Sequence, residues 1–151
     1  MKAGHRALAA LFIADRQVGI CTPNGPEAMT HAIRRTAEYY RTHPDECAQH
    51  VLLSPDLWNA YNSPGREHVI GEAVRRTPDF AGYLDNAYSR HTKLFFGDAV
   101  LTSETGTQQG DVIGGVGFAL SFAGCRSRTS AEARAALELE AWDHDDGALG
   151  G

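Results

Sequence analysis

Residues 137–151, LELEAWDHDDGALGG, constrain the fold more than any other stretch of the chain. LELEAW alternates apolar and acidic residues with period two, which puts the apolar side chains on one face of a half-buried strand and cannot describe a helix. The alternation stops at Asp143, His144, Asp145 and Asp146, an acidic turn, and the glycines beyond it read as the start of a further strand. A sheet must therefore exist. Taken alone the acidic quartet is a solvated turn. A calcium loop is ruled out, because glycine falls at the fifth position and no distal bidentate glutamate follows.

Upstream, residues 22–43 carry turn chemistry and then Ala28, Met29, Ala32, Ile33, Ala37 and Tyr40 at helical spacing, with a stop at Pro44. Val51, Leu52 and Leu53 give a short strand, closed by the turn residues of 62–65. Pro55 removes a ladder donor there, so the strand is an edge, is bulged or ends early. REHVIGEAVRRT and PDFAGYLDNAYS read as two further helices, the second with proline in its first turn and the first with Arg75 and Arg76 on its exposed side. TKLFFGDAVLTS reads as a hairpin about Gly97 and Asp98. TGTQQGD is a polar loop, and VIGGVGFALSFAGC is apolar enough for a buried helix. Gly114, Gly115 and Gly117 each weaken that helix by about 1 kcal/mol relative to alanine, so something besides propensity must hold it. RSRTSAEARAA supplies at most a final helical turn or two. The sum is an α+β arrangement, a mixed sheet with helices on one face.

At 151 residues, with 42% hydrophobic and 22% charged, the chain has the composition of one globular domain. The opening MKAGHRALAALFIAD lacks a convincing cleavage site and reads as a structured or frayed terminus. No apolar run reaches the roughly 20 residues of a membrane span. The net charge of −5 excludes nucleic-acid binding by bulk electrostatics alone. Cys21, Cys47 and Cys125 are far apart with no CxxC pair, which excludes a zinc ribbon or disulfide scaffold and fits an intracellular setting. His31, His50, His68 and His91 show no ligand spacing.

Three segments gain meaning together. Asp56 stands at the end of the first strand in DLWNAYNS, QQGD precedes the glycine-rich helix, and DHDDGALGG follows the last strand. An aspartate at one strand end and an aspartate pair in a neighbouring hairpin can converge on two divalent cations, as phosphoryl transfer from a nucleotide requires.

In this order the segments resemble the reverse transcriptase domain of non-LTR retrotransposons, with its D..NAFNS, GVQQGDPLGPLLFAL and tyrosine-any-Asp-Asp motifs followed by G.L.G. RQVGICTPNGPEAMTHAIR is similar to the family's Q.GVGVPGGAEA..HA.R, so the resemblance covers residues 16–151. It implies a polymerase palm-like fold, with 1–49 as an N-terminal helix and fingers–palm connection and 50–151 as the palm. It also implies fingers segments before residue 1 and a thumb after Gly151.

Carried over by position, Asp56, Asp145 and Asp146 are the catalytic aspartates, holding two Mg²⁺ (or Mn²⁺) with the Leu57 carbonyl as an additional ligand. Tyr61 is the aromatic gate under the incoming sugar, or else a core aromatic. Gln109, Gly110 and Asp111 form the loop against template and nucleotide. Asn59 and Asn62 are local turn residues.

The implied activity is RNA-directed DNA polymerisation, a two-metal nucleotidyl transfer that adds deoxynucleotides to a primer 3′-hydroxyl on an RNA template. The implied setting is the nucleus or cytoplasm. The alternative is a catalytically inactive, truncated retroelement remnant acting at most as a small interaction domain. A metal-dependent hydrolase is weaker, since no histidine or serine forms a recognisable base or nucleophile arrangement. Asp143 and His144 replace the family's tyrosine and apolar residue, and QGDV replaces QGDP. The added like charge is expected to raise carboxylate pKa values in the turn.

Overall fold

The structure is a computed structural model that describes residues 3–151. In chain order its elements are helix α1 (Ala3–Ala14), α2 (Gly25–Thr42), strand β1 (Leu52–Leu53), a 3-10 turn (Ala60–Asn62), α3 (Arg66–Arg76), α4 (Pro78–Tyr88), β2 (Thr92–Phe96), β3 (Ala99–Ser103), α5 (Gly114–Arg126), α6 (Ala131–Ala135), β4 (Leu139–Asp143) and β5 (Asp146–Gly150). The α+β class is as expected. Among the described residues no helix is long and apolar enough to cross a membrane.

The chain forms two compact units, one from the residues up to Trp58 together with Arg128–Gly151, the other from Asn59–Ser127. In the first unit β1, β5 and β4 make an antiparallel sheet in that order, with β5 in the middle. Helix α2 begins with proline in its first turn, after Asn24 in the left-handed conformation, and ends before Pro44. It lies on β4 and β5, where Met29 packs with Ala141 and Ala148, flanked by Val18, Ile33 and Leu139. The inward stripe runs through buried Met29 and half-buried Ile33, Thr36 and Tyr40, whereas Ala28 and Ala37 are exposed. Those two alanines sit one position off the helical period that the larger side chains follow.

Pro55 acts on its strand in the anticipated way. Ladder pairing stops at Leu53 and resumes as a single antiparallel bridge between Asp56 and Asp146. The Pro55 carbonyl still accepts from the Gly147 N–H at 2.9 Å, so only the missing donor interrupts the edge.

In the second unit α3 packs on α4 and α5, around Val69, Ala73, Ala81, Leu84, Phe118, Leu120 and Ala123. β2 and β3 form the expected hairpin, with Gly97 at positive φ. Gly114 and Gly117 of α5 are explained by close approach. A β-carbon on Gly117 would lie 3.0–3.2 Å from Thr107, Leu84 and Val69, and one on Gly114 would lie 2.3 Å from the Gln108 carbonyl oxygen. The helix is thus held by tertiary contact where its propensity is poor. Arg75 and Arg76 both reach Glu72, and the Arg76 side chain is only 12% exposed, so the expected solvated pair is half packed down.

Gly114→Ala is expected to destabilise the protein by about 1–3 kcal/mol through overpacking. Gly71→Ala on α3, where an added β-carbon meets nothing within 4 Å, is expected to stabilise it by up to about 1 kcal/mol. Denaturant unfolding of the two variants checks the contrast.

Candidate active site

The acidic hairpin is built by β4 and β5. Leu139 and Ala141 face α2, while Trp142, on the opposite face, lies across Gly147 opposite Pro55; a β-carbon on Gly147 would meet the indole at 2.6 Å and the proline ring at 2.7 Å. Asp143 pairs with Asp146, which leaves His144 and Asp145 as a two-residue loop. His144 has φ of 56°, the left-handed region that hairpin turns of this length require at their first position. Glycine usually fills such a position, so a histidine there needs support from outside the hairpin.

That support comes from Gln17. Its side chain is 3% exposed, and its Nε2 donates to the His144 carbonyl at 3.0 Å while its Oε1 accepts from the His144 N–H at 2.7 Å. The same Oε1 accepts from the Gly19 N–H at 3.3 Å. The backbone around Gln17 runs parallel beside Trp142: Val18 N–H donates to the Trp142 carbonyl at 2.7 Å, and Trp142 N–H donates to the Arg16 carbonyl at 2.9 Å. Gly19 is pressed against the turn, since a β-carbon there would fall 2.0 Å from Asp143 Oδ1. Asp143 Oδ1 in turn lies 3.0 Å from His144 Nδ1.

Asp56, Asp145 and Asp146 belong to this one unit, and Asp56 is the direct cross-strand partner of Asp146. Partners across an antiparallel pair put their side chains on the same side of the ribbon. The Asp146 carboxyl is raised above its ordinary range by partial desolvation and by the charges of Asp145, Asp56 and Asp143, with His144 opposing. The like-charge expectation for this turn therefore holds for Asp146, and Asp143 is one of its causes. All-carboxylate oxygen donors suit a hard cation such as Mg²⁺, and a cation would relieve the repulsion on Asp146. Among the described residues no three His, Cys, Asp or Glu side chains are grouped as ligands of one ion.

The remaining candidates lie in the second unit. Tyr61 sits on the 3-10 turn, half-buried, with its ring stacked on Phe118 at 4.9 Å between centroids and 16° between planes. Gln109 and Gly110 are exposed, with Gly110 at φ of 89°. Asp111 turns inward: its Oδ2 accepts a short hydrogen bond from Tyr88 Oη, and its Oδ1 accepts from the Ile113 N–H at 3.2 Å at the start of α5. Tyr88 Oη also accepts from the Gln108 N–H at 3.2 Å. Burial, followed by the Asp111 bond, pushes the Tyr88 hydroxyl up to about 12.

Arg66 completes this scaffold, with bonds to the carbonyls of Gly106 (3.1 Å) and Arg90 (3.0 Å) and to Ser103 Oγ (2.7 Å), and its guanidinium lies over the Tyr88 ring. It is 7% exposed, so it is neither a phosphate contact nor part of a solvated face. Gln17, Gly19 and Tyr88 are the residues that sequence reasoning missed, and Arg66, which it reads as a surface charge, is buried instead. The only signal for the first two was their place in the RQVG segment.

Two titrations follow. Because the folded-state pKa of Asp146 is raised, its protonated form favours folding below the ordinary carboxylate range, and that contribution disappears as pH rises through the folded value. Asp146→Asn should therefore stabilise the protein at pH 7 by less than about 1 kcal/mol, the exposed group being screened by solvent. The gain should vanish at low pH in thermal melts. For Tyr88, ultraviolet titration should show a phenol ionising near 12 that Tyr88→Phe removes. The chain matches no family model, and no curated protein or solved structure is significantly similar to it.

Proposed function

We propose that the chain is the palm portion of an RNA-directed DNA polymerase of the non-LTR retrotransposon type, extending a DNA primer on an RNA template with deoxynucleoside triphosphates. The observation that carries the reading is the placement of Asp56 directly opposite Asp146, at the foot of a turn that also holds Asp145. An aspartate on one strand end and an aspartate pair in the adjacent hairpin is the arrangement the motif order calls for, and here the strands that bear them are neighbours.

In this reading Asp56, Asp145 and Asp146, with the Leu57 carbonyl, hold two Mg²⁺ ions or their Mn²⁺ counterparts. The ions supply a lowered pKa for the primer 3′-hydroxyl and neutralisation of the leaving pyrophosphate. The protein's own part is to present the carboxylates from a rigid edge. Tyr61 excludes a 2′-hydroxyl by steric clash, with its ring fixed in place by Phe118. Gln109 and Gly110 offer an exposed backbone to template and nucleotide, and Asp111 anchors that loop to Tyr88. Such a chain acts inside the cell, in nucleus or cytoplasm.

Primer extension by the purified chain with Mg²⁺ or Mn²⁺ tests the reading. Asp145→Asn is expected to lower the rate at least about 100-fold, which corresponds to losing a few kcal/mol of charge stabilisation. Extension that survives Asp145→Asn would remove the assigned role. If the wild-type chain neither extends a primer nor binds Mn²⁺ in calorimetry, the alternative of a non-catalytic interaction domain replaces it.

A further inference from the structure

The acidic hairpin has a histidine at positive φ in its first position, and its conformation is imposed from a distance. Gln17 holds the backbone of His144 on both sides of its α-carbon, donating to the carbonyl and accepting from the N–H, across 127 positions of chain. A primary amide can do both at once, with its donor and its acceptor on separate atoms. The bonds run from an almost fully buried side chain to a partly buried backbone, so on the Gln17 side an unmade bond is unfavourable. The two backbone bonds to Trp142 hold the Gln17 strand in register, and the close approach at Gly19 leaves the turn no room to roll toward it.

We infer that Gln17 is a positioning residue for Asp145 and Asp146: its amide locks the His144 peptide and thereby fixes the direction in which the two following carboxylates leave the hairpin. The inference rests on the polymerase reading for its purpose, though the lock itself does not depend on it. Four carboxylates, Asp56, Asp143, Asp145 and Asp146, crowd this hairpin. Without a fixed backbone they would relieve their repulsion by splaying apart. The lock opposes that motion through bonds to main chain, which leaves the carboxylates of Asp145 and Asp146 uncommitted to Gln17.

The experiment uses the full chain with Gln17→Met, which keeps length and volume but removes both bonds, and Gln17→Glu, which keeps the acceptor and loses the donor. Amide hydrogen exchange at His144 reads the lock, exchange in the β5 core at Ala148 and Leu149 reads global stability, and calorimetric titration with Mn²⁺ reads the carboxylates. In Gln17→Met, His144 should exchange at least about tenfold faster relative to Ala148, and Mn²⁺ affinity should fall about tenfold, in the range seen when groups that orient ligands are removed. Gln17→Glu should retain part of the His144 protection.

A folded Gln17→Met chain with unchanged relative exchange at His144 overturns the inference. So does loss of the lock with unchanged Mn²⁺ affinity. If Gln17→Met fails to fold, Gln17→Glu decides by the same two readouts. If the wild-type chain binds no Mn²⁺ at all, the metal reading and the positioning purpose fall together, while the exchange data still decide whether the lock exists.

Discussion

The first unit depends on the pairing of β5 on both of its edges. Leu149 and Gly150 bond to β1 on one side, and Asp146–Gly150 bond to β4 on the other. Its residues are small because its neighbours come close: at Gly147 the Trp142 ring and Pro55 occupy the space a side chain would need. Ala148 is almost wholly buried beneath α2. A central strand this short of side chains contributes little apolar area of its own. It serves as a template whose backbone bonds bring β1, β4 and their carboxylates into register.

That register has an electrostatic consequence. Placing Asp56 opposite Asp146 and closing the hairpin in two residues concentrates negative charge on one end of the sheet. Apart from His144, the unit has no basic side chain in the turn to balance this. Instead it uses a buried amide, parallel backbone bonding at Trp142 and a glycine contact, all from the Arg16–Ile20 segment. Neutral dipoles hold the backbone while the charges stay unneutralised, and the raised Asp146 carboxyl is the measure of that tension. The second unit handles its own acid differently. Asp111 is bonded to Tyr88 and to the first turn of α5, so its charge anchors a loop.

Much of the secondary structure was legible because its signals are local. Proline set the end of α2 and the start of α4, period-two alternation marked β4, and Gly97 marked the hairpin. Pro55 announced an interrupted edge, and the structure interrupts it there. The candidate aspartates were legible as a set of spaced motifs, but the pairing of Asp56 with Asp146 was not, because strand register is decided between segments. The Gln17 amide, the buried Arg66 and the Tyr88–Asp111 bond left no periodic trace. Each is a single polar side chain whose partner is remote in sequence, and composition reads such residues as surface. Gly114 and Gly117 show the converse, a local penalty set against close contact with Gln108, Thr107, Leu84 and Val69.

The division into units follows an order that matters when the chain is made. Asn59–Ser127 is one uninterrupted stretch, whereas the first unit is assembled from segments on both sides of it. During synthesis from the N-terminus, the second unit has all its partners once Ser127 has emerged, and its helices can pack at once through short-range contacts. The Arg16–Ile20 segment and β1 must wait, because β4 and β5 follow the second unit in the chain. Gln17 therefore precedes that unit in the chain but finds its bond only after the unit has been made, so the acidic hairpin acquires its final shape late.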